Sequence, residues 1–183
     1  TFHDLLVIKC DLETSDLVDR GIWKSSEEDR KRLSDMVADY CYKYVLEILK
    51  VSRPVIARLA EMYPLVLVSN FYGNIETILA DFDLQYFKHI VESAVVGIRK
   101  PDPRIFQLGV DALRKVTGKS DKELPASNIL VVGDSFSKDI VPANEIGCKT
   151  VWIKGVGWGN EETDDSIPTF IIKNIAELEN ILG

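Results

Sequence analysis

The chain has 183 residues, a length that suits one globular domain with a small appendage. Of these residues 46% are hydrophobic, which is enough for a sizeable core and argues against wholesale disorder. With 22 basic and 29 acidic side chains the net charge is −7, and no long basic run occurs. We therefore expect binding neither to nucleic acid nor to anionic membranes.

The cysteines and the first residues bear on the cellular compartment. Cys10, Cys41 and Cys148 are far apart and odd in number, so we expect neither a disulfide framework nor a zinc site, and we predict a reducing, cytoplasmic location. No apolar stretch approaches the ~20 residues of a membrane helix. The first four residues lack the basic region of a signal peptide and are interpreted as a cut end.

The first fifty residues are predicted to be helical. Thr1 and Asp4 are spaced as in a capping box, and apolar residues then recur at helical spacing until Gly21. A second helix is predicted to start near Ser25, and Pro54 is expected to open a third. Since alternating strands and helices follow, we predict a helical portion at 1–53 and an α/β portion at 54–183.

Short apolar runs bounded by turn residues predict the strands of the α/β portion. The predicted strands are 65–68, 90–95, 129–132, 150–153 and 170–172, and the predicted helices between and after them are 75–83, 103–116, 139–146 and 175–182. This alternation indicates an α/β fold with a doubly wound parallel sheet. The glycine-rich run at 155–159 precedes no clear helix, so no dinucleotide site is expected there.

Polar side chains follow three of the predicted strands. Ser69 and Asn70 follow the first, Lys100 follows the second, and Asp134 follows the third, with Asp139 about one helical turn later. Ligands of open α/β sheets bind beyond the carboxyl ends of the strands. A hydroxyl and a lysine suit a phosphoryl group and carboxylates suit Mg²⁺, so this set matches the needs of phosphoryl transfer.

These segments resemble the haloacid dehalogenase superfamily. Leu67-Val68-Ser69-Asn70 is similar to its motif II, Lys100-Pro101-Asp102-Pro103 to motif III, and Gly133-Asp134-Ser135 with Asp139 to motif IV, and the match covers residues 54–183. The resemblance implies a Rossmann-like core and Mg²⁺-dependent hydrolysis of a small phosphorylated metabolite through an aspartyl-phosphate. Ser69 would bind the phosphoryl group, Asn70 would shape the turn, and Lys100 would neutralise charge. Asp134 would ligate Mg²⁺, and Asp139 would order Lys100 or a metal-bound water.

The sequence departs from the family at motif I, which carries the nucleophilic aspartate. The best local candidate is Asp11, with Glu13 as a substituted acid/base, but Lys9 would then point into a buried strand, which is costly. The residues around Asp11 also have a helical pattern. The favoured interpretation is that the helical portion is the end of a cap and that motif I lies upstream of Thr1.

This interpretation has a structural consequence. Without a central strand, the strands that end at Ser69 and near Asp134 would face each other across about 9–10 Å, with unpaired backbone groups on both sides. We therefore expect a fragment that is inactive by itself, or another segment in the gap.

Two other functions remain open. One is 2-haloacid dehalogenation, although dehalogenases of the superfamily usually have a Ser-Ser-Asn type of motif IV and need no metal. The other is a catalytically incomplete domain that serves as a binding module.

Overall fold

The computed structural model describes residues 1–155 and 162–182. A helical hairpin precedes an α/β portion. In chain order the elements are α1 (Phe2–Asp19), α2 (Glu27–Met62), β1 (Val66–Ser69), α3 (Ile75–Asp81), β2 (His89–Glu92), α4 (Ser93–Val96), α5 (Arg104–Thr117), β3 (Leu130–Gly133), α6 (Val141–Glu145), β4 (Lys149–Ile153), β5 (Phe170–Ile172) and α7 (Leu178–Leu182). Most of the glycine-rich run at 155–159 lies outside the described residues.

Buried polar contacts join the two helices of the hairpin. The Arg30 side chain on α2 is only 7% exposed. Its guanidinium donates to the Asp11 carboxylate at 2.9 Å, to the Asp11 carbonyl at 3.1 Å and to the Thr14 hydroxyl at 3.0 Å, all on α1. Hydrogen bonds to Glu27 and then to Asp11 raise the pKa of the Arg30 guanidinium above its ordinary value. The segment around Asp11 is therefore held as a helix against α2.

The helix α2 is continuous across Pro54, so the predicted start of a third helix there is wrong. A proline inside a helix costs about 3 kcal/mol, because a hydrogen bond is lost and the ring meets the preceding turn. Val55 is 2% exposed and Leu59 7% exposed, and they pack against β4, β5 and α7. Burial of two such side chains contributes about 1.5–3 kcal/mol each, which is enough to offset the proline.

The sheet is parallel and lies in two parts. In one part β1 pairs with β2, and in the other β3 pairs with β4 and β4 with β5. Among the described residues no strand pairs β1 with β3, and residues 5–10 lie in α1, as the helical interpretation of that segment predicts. Val132 of β3 is 39% exposed, whereas Val151 of β4 is fully buried. The β3 strand, which borders the break between the two parts of the sheet, is therefore more exposed to solvent than β4.

Helices cover both faces of the sheet, which confirms the doubly wound fold. On one face Ile105, Phe106 and Val110 of α5 pack with residues of β1, β2 and β3 in a single cluster. On the other face the end of α2 packs with β4, β5 and α7. Both parts of the sheet thus share common helical layers, and their carboxyl ends lie at one edge.

One predicted strand needs adjustment. The strand β2 ends at Glu92 instead of reaching residue 95, because the chain turns into the short helix α4 at Ser93. The predicted boundary between portions at 53 and 54 falls inside α2 and stays a prediction.

Within the part of the chain that the structure describes, no helix has the length and apolar character that a membrane crossing needs.

Candidate active site

The central feature of the site is an ion pair between Lys100 and Asp139. The Lys100 ammonium lies 2.6 Å from the Asp139 carboxylate, and the two side chains are 17% and 7% exposed. The second Asp139 oxygen accepts a hydrogen bond from the Ser135 amide at 3.1 Å. The lysine nitrogen also lies 5.9 Å from the centre of the Phe106 ring. The Asp139 carboxylate thus contacts both the Lys100 ammonium and the Ser135 amide.

Local backbone structure aims Asp139 back at the strand end. Phe136–Ile140 form a π-helical turn that follows β3, and wide turns of this kind occur often at functional sites. A methyl group on Gly133 would lie 2.3 Å from the Asp139 Cβ and 2.7 Å from its Oδ2. Only glycine therefore leaves room at the end of β3 for the Asp139 carboxylate.

Asn70 positions the backbone of Lys100. Its side-chain oxygen accepts from the Lys100 amide at 2.8 Å, and its side-chain nitrogen donates to the Lys100 carbonyl at 3.0 Å. This paired contact joins the turn after β1 to the segment before α5. Ser69, the last residue of β1, lies partly buried directly before it. The structure therefore brings Ser69, Asn70, Lys100 and Asp139 to the same edge of the sheet.

Two residues that sequence reasoning missed hold the turn after β1. Glu92 is only 6% exposed, and its carboxylate accepts from the Gly73 amide at 2.5 Å. The Ser93 hydroxyl accepts from the Phe71 amide and donates to the Phe71 carbonyl, both at 3.2 Å. Glu92 is the last residue of β2 and Ser93 follows it directly, so both lie at a strand end, as Ser69 does. They were overlooked because the predicted strand ran too far, to residue 95.

Asp134 differs from Asp139 in its surroundings. Its side chain is exposed and has no ion-pair partner among the described residues, while its carbonyl accepts from the Trp152 indole at 3.0 Å. An exposed carboxylate at a strand end has the chemistry of a Mg²⁺ ligand, and Mg²⁺ often keeps several waters and one or two carboxylates. Within 1–155 and 162–182 no group of three or more His, Cys, Asp or Glu side chains could hold a metal ion.

Asp11, the tentative nucleophile, does not belong to this constellation. It lies within α1 instead of after a strand. Its carboxylate pairs with Arg30 at 2.9 Å and is 3.9 Å from Lys31, both on α2. Lys9 and Glu13, its neighbours, are exposed and pair with each other at 3.7 Å. The structure therefore gives Asp11 a role in the hairpin, and the assignment of Asp11 as nucleophile is corrected.

Comparison with known proteins identifies the class. The family model for haloacid dehalogenase-like hydrolases matches residues 19–147, more than half of the chain. A HAD phosphatase from Thermococcus onnurineus superimposes over 99% of this chain and 92% of its own, with a TM-score of 0.64 and 21% identity. A HAD hydrolase from Bacillus subtilis in a magnesium-bound form covers 99% of this chain and 82% of its own, with a TM-score of 0.59 and 19% identity.

The chain belongs to the haloacid dehalogenase-like hydrolases, as its motifs indicated.

Curated relatives include enzymes of two reaction types. Glyceraldehyde 3-phosphate phosphatase from Methanopyrus kandleri is 32% identical over 99 residues, which are 53% of this chain and 39% of that enzyme. An (S)-2-haloacid dehalogenase from Pseudomonas putida is 27% identical over 158 residues, 85% of this chain and 63% of that enzyme. The chain thus spans less than two thirds of the length of these relatives.

Proposed function

We propose that this chain is part of a Mg²⁺-dependent phosphatase that acts on a small phosphorylated metabolite. The observation that carries the proposal is the partly buried Lys100–Asp139 pair at the same edge of the sheet as Asp134, an exposed carboxylate without an ion-pair partner among the described residues. Phosphoryl transfer depends on positioning and on charge neutralisation, and this edge offers a fixed cation and an exposed anion for those tasks. The phosphatases among the relatives support the same conclusion.

Each residue has a specific task in the proposal. The Lys100 ammonium, held by Asp139, would lie beside the phosphoryl oxygens and lower the repulsion between them and an attacking carboxylate. Ser69 would donate its hydroxyl proton to a phosphoryl oxygen. Asn70 would keep Lys100 in register with Ser69 through its paired backbone contacts. Asp134 would hold Mg²⁺, which when bound supplies Lewis-acid stabilisation of the transferring group.

Neither Asp134 nor Asp139 at this edge is assigned as the nucleophile, and Asp11 lies in the helical hairpin. Both oxygens of Asp139 are engaged, one by Lys100 and one by the Ser135 amide. Asp134 is proposed as the metal ligand, and Asp11 is bound to Arg30. The proposal therefore separates binding from turnover: this chain binds Mg²⁺ and phosphate, and turnover requires a carboxylate of the kind that motif I supplies in the family.

The experiment measures binding directly. Isothermal titration calorimetry with Mg²⁺, and then with inorganic phosphate in the presence of Mg²⁺, tests both sites on this chain. We expect Asp134→Asn to abolish Mg²⁺ binding and Lys100→Met to abolish phosphate binding. Lys149→Met is the matched control, because Lys149 is exposed at the opposite, amino end of β4. Equal binding by the chain and all three variants would refute the proposal.

The dehalogenase among the relatives keeps a second reaction open. Its similarity extends over 85% of this chain, more than that of the phosphatase. An exposed carboxylate at Asp134 is the feature that favours the phosphatase, since it suits a metal that dehalogenation does not need. In a longer polypeptide that contains this chain, Mg²⁺-dependent release of phosphate from an aryl phosphate supports the first proposal. Release of halide from a 2-haloacid in the presence of EDTA supports the second.

A further inference from the structure

A continuous apolar stripe runs along the exposed side of α2. Its side chains are between 37% and 72% exposed and recur every three or four residues, the spacing of a single helix face. The stripe consists of Leu33, Met36, Val37, Tyr40, Tyr44, Ile48 and Val51. The stripe is about 27 Å long, because Leu33 and Val51 are about 18 residues apart and an α-helix rises about 1.5 Å per residue. A contiguous apolar patch of this kind on a protein surface marks an interaction site.

The rest of the hairpin does not cover the stripe. The buried residues of α2 in the same region are Ser34, Ala38 and Leu49. Leu49 packs with Ile78 and Phe82 of the α3 region, and α1 lies against α2 through Arg30. These contacts use other faces of α2, so the stripe has room to accept a partner.

The charges along one side of the stripe are self-complementary. In order they are Asp29, Arg32, Asp39, Lys43, Glu47 and Lys50, which alternate in sign. Within one chain Arg32 already pairs with Asp29, Lys50 with Glu47 and His3 with Asp39, so contacts across a dimer would add to these pairs or replace them. If two copies of α2 lie antiparallel about a two-fold axis near Tyr40, Asp29 meets Lys50 of the other copy and Arg32 meets its Glu47. The same arrangement brings Asp39 near Lys43. No like charges meet at any of these positions.

The apolar residues obey the same symmetry. In that arrangement Leu33 meets Ile48 of the other copy, Val37 meets Tyr44, and the two Tyr40 side chains lie beside the axis. An interface around a two-fold axis must be complementary to itself, and both the charges and the apolar residues of α2 meet this condition. We infer that the stripe is a dimer interface, with a second copy of this chain as its occupant.

The size of the contact sets its expected strength. A single pair of helices in contact over about 27 Å belongs to the small end of stable protein interfaces. We therefore expect a dissociation constant in the micromolar range, measured by sedimentation equilibrium on the 183-residue chain. The proposal is independent of the proposed phosphatase activity, because no stripe residue belongs to the site around Lys100.

Charge reversal tests the register. Arg32 is 64% exposed and Glu47 is 65% exposed, and their ion pairs with Asp29 and Lys50 lie on the surface of α2. Exposed pairs of this kind contribute little to stability, so we expect the fold of the chain to tolerate both substitutions. In a dimer of Arg32→Glu each introduced carboxylate faces Glu47 of the other copy, and in a dimer of Glu47→Arg each introduced guanidinium faces Arg32. We expect each variant to dimerise about tenfold more weakly than the parent, since two like-charge contacts replace two ion pairs.

A mixture of the two variants provides the sharpest result. Arg32→Glu and Glu47→Arg chains are combined in equal amounts. In the heterodimer the introduced glutamate at position 32 meets the introduced arginine at position 47, and the original Arg32 meets the original Glu47. Both contacts therefore join side chains of opposite charge. We expect a heterodimer of about the parental affinity. Leu12→Glu is the control, because Leu12 is an exposed apolar residue of α1 outside the stripe and its substitution should leave dimerisation unchanged.

Three results would overturn the proposal. One is a monomer at all concentrations up to several hundred micromolar, which would mean that other helices or another protein cover the stripe. The second is a dimer that Tyr40→Glu does not weaken, which would place the interface elsewhere. The third is a mixture that associates no better than the single variants, which would exclude the antiparallel register. Circular dichroism of every variant establishes that the helices are retained.

Discussion

Gly133→Ala should disrupt the candidate site while it changes only one methyl group. The added Cβ would lie 2.3 Å from the Asp139 Cβ, 2.6 Å from its Cγ and 2.7 Å from its Oδ2. Ordinary contacts between carbon atoms are about 3.5–4.0 Å, so Asp139 or the end of β3 must move by about 1 Å. Asp139 is held by the Lys100 ammonium at 2.6 Å and the Ser135 amide at 3.1 Å, and a shift of that size breaks both contacts.

The cost follows from the packing and from the ion pair. Forcing an extra methyl group into a packed position costs about 1–3 kcal/mol. For a protein of this size each 1 kcal/mol lowers the melting temperature by about 2–4 °C, so we expect a decrease of about 2–12 °C by differential scanning calorimetry. Because Lys100 loses its orienting partner, phosphate binding measured by calorimetry should also weaken, by about tenfold or more.

Gly155→Ala is the matched control for this substitution. No atom of the described residues lies within 4 Å of the position that its Cβ would occupy, and its backbone does not require glycine. We expect its melting temperature and its phosphate affinity to equal those of the parent chain. If Gly133→Ala behaved like Gly155→Ala in both measurements, the steric argument and the role of Asp139 in holding Lys100 would both be refuted.

Four further substitutions and one labelling measurement address other parts of the chain. Arg30→Met should destabilise the hairpin by about 1–3 kcal/mol in urea unfolding, since the Asp11 and Thr14 acceptors lose a buried donor. Asp11→Asn should leave phosphate binding unchanged, and weaker binding by this variant would return Asp11 to the candidate site. Glu92→Ala should lower the free energy of unfolding by about 1–3 kcal/mol and weaken phosphate binding. Glu92→Gln keeps an acceptor for the Gly73 amide and should retain most of the stability and most of the phosphate affinity. Equal effects of the two substitutions would argue against this hydrogen bond. Burial raises the pKa of the Cys148 thiol to about 11, so in the folded chain the thiol stays protonated at about pH 8.5. It should therefore resist iodoacetamide until urea unfolds the chain. Rapid labelling of the folded chain would contradict the burial of Cys148.

Local signals were sufficient for most of the α/β portion. Each strand is a short apolar run between turn residues, and that pattern is a property of the residues themselves. The predicted helix at 103–116 corresponds to α5, and the strands at 129–132 and 170–172 correspond to β3 and β5. Ser69, Lys100 and Asp134 could be identified in the same way, because polar residues at the ends of parallel strands come to one edge of a sheet.

Features that depend on long-range contacts could not be predicted in this way. Pro54 predicts the start of a helix by its own chemistry, and only burial of Val55 and Leu59 against β4, β5 and α7 explains why α2 continues through it. The roles of Glu92 and Asp139 likewise depend on partners 19 and 39 residues away. The sequence by itself therefore determined the family, the alternation of strands and helices, and the polar residues at the ends of β1 and β3. Only the tertiary structure decided which of these polar groups pair with each other, because hydrogen bonds and ion pairs form between residues that folding, and not chain order, makes neighbours.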